Sequence, residues 1–83
     1  MRITIKVPPL LRIGFNGRSE IQAKGRTIGE CLQDMINEYP GFEIRLKSTV
    51  ICLNGEVVQT IYYGSKEIKE GDEISLMPRM AGG

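Results

Sequence analysis

The stretch "TIGECLQDMINEYPG" (residues 27–41) carries the clearest local signal in this chain and predicts its one long helix. Thr27 and Glu30 have the spacing of a capping box, in which a hydroxyl and a carboxylate accept backbone N–H groups at the start of a helix. Pro40-Gly41 is a typical helix end. Between them, apolar residues recur at spacings of three and four and mark one helix face: Ile28, Cys31, Leu32, Met35, Ile36 and Tyr39.

Two alternating stretches precede this helix. Residues 2–7 place Ile3, Ile5 and Val7 on one side of a strand, and residues 19–24 repeat the alternation with Ile21 and Ala23. The apolar run 10–15 between them ends in Asn16-Gly17, so we expect a hairpin whose connection includes a loop or a helical turn.

The residues after the helix predict an irregular stretch, a hairpin, a short turn and a last strand. Residues 42–48 are typical of a loop or irregular stretch, and residues 49–53 and 56–58 flank Asn54-Gly55 as a strong hairpin signal. Residues 61–64 predict a short turn. Residues 73–77 predict a last strand with Ile74 and Leu76 inward and with Ser75 and Met77 outward, and Pro78 is expected to end its pairing.

This order of elements predicts an α+β domain, a small mixed sheet covered on one face by a single main helix. We expect the domain to span residues 1–78 and residues 79–83 to form a flexible C-terminal Gly-Gly tail. If the first and last strands lie side by side in the middle of the sheet, the tail leaves from the end of the sheet.

Composition argues against several functions. A net charge of +1 gives no reason to expect nucleic acid or an anionic membrane as partner, and the absence of His removes the commonest metal ligand, so no metal site is expected. Cys31 and Cys52 are too few for a zinc site or a disulfide framework and are interpreted as buried free thiols. Lys6 and Arg12 interrupt the first apolar stretch, so no signal peptide is expected and the predicted location is cytoplasmic.

One helix face is acidic, with Glu30, Asp34 and Glu38 spaced four residues apart. Either this stripe is a solvated surface, or it docks a basic partner.

The last residues of the chain suggest a chemical role. Fully extended at about 3.3 Å per residue, residues 79–83 reach roughly 16 Å beyond the sheet. Gly82 and Gly83 lack a Cβ atom, so they can enter a channel too narrow for side chains. The α-carboxylate of Gly83 is a poor electrophile until adenylation by ATP replaces an oxygen with AMP, after which sulfide, a thiol or an amine can attack.

The chain resembles the ubiquitin-like sulfur carriers of the MoaD/ThiS type, which share the β-grasp fold. The matching parts run nearly end to end, and they are the opening strand 3–7, the capped helix 27–32 with Tyr39-Pro40, the segments 53–56 and 70–74, Pro78 and Ala81-Gly82-Gly83. Pro78-Arg79 departs from the family's frequent Pro-Pro, and Met80 replaces a more usual aliphatic or aromatic residue.

The resemblance implies that the chain is not an enzyme but a co-substrate. An E1-like adenylyltransferase would adenylate Gly83, a sulfur donor such as a cysteine desulfurase or a rhodanese-like protein would supply sulfur, and the product would be a thiocarboxylate. No cofactor is expected on the chain, because the activating partner uses the ATP. The similarity is greatest to the small subunit of molybdopterin synthase, whose tail enters the large subunit and delivers sulfur for molybdenum cofactor biosynthesis.

Site residues follow from this interpretation. Gly83 carries the reacting carboxylate, and the tail in the partner's channel comprises Arg79, Met80, Ala81 and Gly82. Met77 and Pro78 are expected to contact the partner, since Met is an adaptable apolar contact.

Other functions use the same features. A protein modifier would form isopeptide bonds to lysines through Gly83, and a thiazole-pathway carrier would differ only in the acceptor of its sulfur. A third alternative is a β-grasp interaction module whose Gly-Gly is incidental.

Overall fold

The computed structural model describes residues 2–79 as a five-stranded sheet with one long helix. Tyr39 caps the C-terminal end of that helix. The strands are β1 (Arg2–Lys6), β2 (Glu20–Lys24), β3 (Thr49–Leu53), β4 (Glu56–Val58) and β5 (Glu73–Pro78), and the α-helices are α1 (Ile28–Glu38) and α2 (Phe42–Arg45). Three 3₁₀ helices span Pro9–Phe15, Leu46–Ser48 and Thr60–Tyr62.

The last strand lies in the middle of the sheet, whose order is β2-β1-β5-β3-β4. β5 runs parallel to β1 and antiparallel to β3, and the other two pairs are antiparallel. The inward side chains of the strands and the apolar face of α1 together form one buried core. This arrangement confirms the predicted α+β class, the β-grasp fold, the single main helix and the neighbouring positions of the first and last strands.

The start of α1 is held by partners within and beyond the helix. The Thr27 hydroxyl accepts the Glu30 amide at 3.1 Å, as the capping box predicted, and the Glu30 carboxylate accepts the amide of Arg26 at 2.8 Å. The next orphan amides donate to a distant segment. Ile28 N–H bonds the carbonyl of Lys66 at 3.0 Å, and Gly29 N–H bonds that of Tyr63 at 2.8 Å. Because helix-start amides need partners, the segment 63–66 is fastened to α1.

The acidic stripe of α1 has a structural use. Asp34 accepts the backbone amide of Lys24 at 2.9 Å, and Glu30 accepts that of Arg26. Two of the three carboxylates therefore connect the helix to the end of β2 and to the turn that follows it.

Two segments that looked irregular in sequence are helical. Residues 42–48, expected to be a loop, form α2 and a 3₁₀ turn, and the Phe42 ring is fully buried against Phe15, with ring centroids 5.1 Å apart. Residues 9–15 form a 3₁₀ helix that buries Leu11 and Phe15. A helix of one turn is too short to show a helical repeat of apolar residues, so the sequence of residues 42–48 did not indicate a helix.

Hydrogen bonds join the β3–β4 turn to the turn before β5, and we call this set of contacts around Asn54 and Asp72 the clasp. Asn54 adopts a left-handed φ of 51°, followed by Gly55 at 87°, as a tight hairpin turn requires. Its side-chain amide donates to Asp72 at 2.9 Å, and its side-chain oxygen accepts the amide of Glu73 at 2.9 Å. The second Asp72 oxygen accepts the Lys69 amide at 2.7 Å. The two short motifs of the resemblance thus meet in space and set the start of β5.

Gly25 allows β2 to turn tightly into α1, and its replacement tests that packing. A Cβ at this position would lie 2.8 Å from the backbone nitrogen of Cys31, so we expect Gly25→Ala to lower the free energy of unfolding by about 1–3 kcal/mol. Gly41→Ala is the matched control, because Gly41 has helical φ and open space around its Cα, and should be neutral or slightly stabilising. Urea unfolding of both variants measures the difference; equal stabilities would contradict the close approach.

The clasp at Asp72 predicts a pH dependence of stability. The backbone hydrogen bond from Lys69 and the side-chain bond from Asn54 lower the pKa of Asp72 below its usual range. A carboxylate whose pKa falls on folding stabilises the fold above its unfolded pKa, and loses that contribution as the pH falls through the folded pKa. We expect wild type to exceed Asp72→Asn in unfolding free energy at pH 6, with the gap closing on acidification below about pH 4. A gap that is constant from pH 6 to pH 2 would mean that the charge of Asp72 is not involved.

Candidate functional site

The candidate site begins where β5 ends. β5 pairs with β3 up to Pro78, opposite Thr49, and the amide of Arg79 donates to the carbonyl of Ser48 at 2.7 Å. Pro78 has no N–H to donate, so the backbone contact passes to the next residue. The chain is thus held by the sheet as far as Arg79, one residue beyond the predicted end of pairing.

The residues predicted to react or to enter a partner's channel are mostly beyond this point. Met80, Ala81, Gly82 and Gly83 lie outside the described residues, and their roles stay predictions. The same holds for the predicted division of the chain after residue 78. Of the predicted site residues, the structure places Met77, Pro78 and Arg79 together at one end of the sheet.

An apolar surface lies on the open face of the sheet beside this end. It comprises Val50, Cys52, Val57 and Met77, and we call it the sheet-face patch. The register places Val50 opposite Met77 and Cys52 opposite Val57, with all four side chains pointing away from α1. Met77 is 50% exposed, in agreement with its expected exposure, and Val57 is 65% exposed. Sequence reasoning missed Val57, because its outward direction follows from its pairing with Cys52.

Cys52 is buried although it lies on the open face. Its thiol donates to the Met77 sulfur at 3.6 Å, so the Met77 side chain covers it. Cys52 therefore belongs to the sheet-face patch and not to the core, which the apolar sequence around it did not reveal.

Cys31 is the other free thiol, and it lies fully buried on the core-facing side of α1. Burial raises the pKa of Cys31 to about 11, and the carboxylates of Asp34 and Glu30 add to the rise. Since the thiolate is the nucleophile, the raised pKa and the burial of Cys31 make its thiol a poor nucleophile in the folded domain.

Within residues 2–79, no three His, Cys, Asp or Glu side chains are grouped closely enough to hold a metal ion. Across the same residues, no helix has both the length and the apolar character needed to cross a bilayer.

The topology and the central position of the last strand define a ubiquitin-like β-grasp protein. The model of the ThiS family matches residues 12–83, and the chain belongs to this family of ubiquitin-like sulfur carriers.

Individual relatives are similar along the whole chain. The sulfur carrier protein CysO of Mycobacterium tuberculosis (strain ATCC 25618 / H37Rv) is 28% identical over 93 aligned residues that cover all of both chains. The crystal structure of the Amycolatopsis orientalis BexX/CysO complex contains a chain with a TM-score of 0.82 and 28% identity, covering 98% of this chain and 99% of that one. In the complex of subunits 1 and 2 of the molybdopterin-converting factor from Helicobacter pylori 26695, a chain matches with a TM-score of 0.71 and 23% identity, covering 100% of both. The last likeness shows the fold alone.

The cover over Cys52 can be tested by thiol labelling of the folded protein. Met77→Ala removes the side chain above the thiol, so we expect the rate at which a maleimide modifies Cys52 to rise severalfold. Met77→Leu is the matched control, because a side chain of similar volume retains the cover. Peptide mass mapping identifies the modified cysteine. Faster labelling of Cys31 than of Cys52, or equal rates in all three proteins, would contradict this packing.

Proposed function

We propose that this chain is a sulfur carrier that presents the carboxylate of Gly83 to partner enzymes. The observation that supports the proposal most is the central β5, which brings the chain to the end of the sheet at Arg79, four residues before Gly83. Membership of the ThiS family and the full-length similarity to CysO support the same conclusion. At about 3.3 Å per residue, residues 80–83 span roughly 13 Å when extended, enough to enter an enzyme's active site.

The proposed chemistry proceeds in two displacements, the first at phosphorus and the second at the carbonyl carbon of Gly83. A carboxylate oxygen of Gly83 attacks the α-phosphorus of ATP and releases pyrophosphate, which leaves an acyl adenylate. Hydrosulfide then attacks the carbonyl carbon and releases AMP, which leaves a thiocarboxylate. Where the donor holds its sulfur as a persulfide, attack by the outer sulfur gives an acyl disulfide, and a second thiol reduces it to the thiocarboxylate while a disulfide forms. Both steps take place in partner proteins, an E1-like adenylyltransferase and a desulfurase or rhodanese-like donor. The chain itself holds no cofactor and acts as co-substrate, not as enzyme.

The domain's own part in this scheme is to hold the tail at its base and to offer contacts around it. The Arg79 amide bonded to Ser48 fixes where the tail starts, and Met77 and Pro78 supply an apolar surface beside it. An apolar exposed patch of this kind is typical of a protein interface. We place these reactions in the cytoplasm, where the thiols of Cys31 and Cys52 stay reduced.

The finer proposal concerns the acceptor of the sulfur. The sequence resemblance favours the large subunit of molybdopterin synthase, and the described structure is compatible with docking to it through the sheet-face patch. A thiazole-pathway acceptor and the formation of isopeptide bonds are the competing uses of the same activated carboxyl.

Intact mass spectrometry tests the carrier chemistry. After incubation with ATP, the E1-like enzyme of the same organism and a sulfur source, we expect a mass gain of about 16 Da, because sulfur replaces one terminal oxygen. Gly82→Val should abolish the gain, since a side chain blocks a narrow channel, with an unchanged melting temperature. Gly64→Val is the matched control, because a Cβ at Gly64 would meet open space, and should react like wild type.

Three results would contradict parts of this proposal. The absence of a mass gain in wild type would contradict the carrier function. A large loss of stability in Gly82→Val would show that this glycine is needed for folding. Attachment to lysines of other polypeptides would favour the modifier alternative. A second experiment identifies the acceptor. The thiocarboxylated protein is mixed with the molybdopterin synthase large subunit and its pterin precursor, and we expect the mass of the protein to return to its original value. Retention of the sulfur would exclude this acceptor.

A further inference from the structure

A second apolar surface lies on the other side of the end of β5. It is a groove of about 720 Å³ between the Pro9–Phe15 3₁₀ helix and α2, and the end of β5 borders it. We call it the tail-side groove and define it by Leu10, Ile13, Ile44, Arg45, Pro78 and Arg79.

The walls of the groove expose large aliphatic side chains. The 3₁₀ helix buries Leu11 and Phe15, and the same winding turns Leu10 and Ile13 outward, where Ile13 is 79% exposed. On α2, Phe42 faces the core and Ile44 is 83% exposed. Three exposed aliphatic side chains around one concavity are unusual on a lone domain and are typical of an interaction surface.

The charged side chains that line the groove are positive. Among the described residues that line it, the charged side chains are those of Arg45 and Arg79, and none is a carboxylate. Glu43 is the nearest acid in sequence on α2, but it does not line the groove. An occupant that complements this surface carries an apolar side chain beside a negative charge.

The position of the groove indicates which protein supplies that occupant. Arg79 lines the tail-side groove, and it also lines a smaller cleft of about 260 Å³ on the β4 side, together with Val50 and Val57. The base of the tail therefore stands between two apolar surfaces. An enzyme that encloses residues 80–83 in a channel has to contact both flanks, and the sheet-face patch covers only one of them.

We propose that the tail-side groove is a docking surface for the activating adenylyltransferase, and that it receives an apolar side chain flanked by a carboxylate from the mouth of that enzyme's channel. This inference rests on the proposed carrier function, because it assumes that Gly83 is adenylated. We assign the groove to the activating enzyme because every proposed use of the carboxylate starts with adenylation.

Steady-state adenylation kinetics test the groove. Pyrophosphate release by the E1-like enzyme of the same organism is measured at saturating ATP against the concentration of this protein. For the double variant Ile13→Ser/Ile44→Ser we expect KM to rise about tenfold with kcat within twofold, because the lost contacts affect binding and not the reacting carboxylate. Ile61→Ser is the matched control, since Ile61 is 77% exposed and lies outside the groove, and its KM should stay within twofold of wild type.

Charge reversal provides a second, independent measurement. Arg45→Glu should raise KM several-fold at low salt, and the increase should shrink as ionic strength rises, because the exposed charges are screened. Arg18→Glu reverses an exposed arginine away from the groove and should leave KM near the wild-type value. Melting temperatures equal to wild type establish that each variant is folded.

The outcomes separate this proposal from the carrier function. If wild type is adenylated and both groove variants keep the wild-type KM, the groove proposal is overturned and the carrier function stands. The groove proposal also fails if Ile61→Ser raises KM as much as the double variant, and slower sulfur transfer with normal adenylation would assign the groove to the acceptor enzyme instead. If wild type is not adenylated, both proposals fail.

Discussion

The pairing of β5 with strands on both of its sides is the constraint on which the rest of the structure depends. β1 and β5 are parallel neighbours, and a parallel pair requires a crossover instead of a tight turn. Here the crossover contains the helix and all the other strands. The chain thus folds around the position that its last strand occupies, and the base at Arg79 is held by the most enclosed strand of the sheet.

Hydrogen bonds from the connecting segments also stabilise this arrangement. The segment 63–66 has little regular structure, yet two of its carbonyls accept the first amides of α1. A helix start that is satisfied in this way cannot shift without leaving the amide of the buried Ile28 unpaired, which costs about 1–3 kcal/mol. The clasp between Asn54 and Asp72 has a similar effect at the start of β5. Together these contacts hold connections that have few apolar side chains of their own.

The elements that sequence predicted well are those whose signal is local. The capping box and the three-four spacing gave α1 to within a residue, and the Asn54-Gly55 pair gave both strands of its hairpin. Residues 42–48 were misjudged because one helical turn is too short to show a period. The face on which Cys52 lies and the tail-side groove depend on tertiary packing: Ile13 and Ile44 are 31 positions apart in the sequence, and only packing brings them together. In the candidate site, the predicted end of the last strand at Pro78 correctly located Met77, Pro78 and Arg79 at one end of the sheet. Residues 80–83 lie outside the residues that the structure describes.

The parallel pairing of β1 and β5 has a practical consequence. Thr4 lies opposite Glu73, the first residue of β5, and Lys6 lies opposite Ser75, so Arg2 is two residues further from Arg79 than the start of β5 is. At about 3.3 Å per residue, the amino end of the sheet is then roughly 26 Å from Arg79, on the opposite side of the molecule. A fluorophore, affinity handle or solid support joined ahead of β1 would leave the end of the sheet at Arg79 unobstructed.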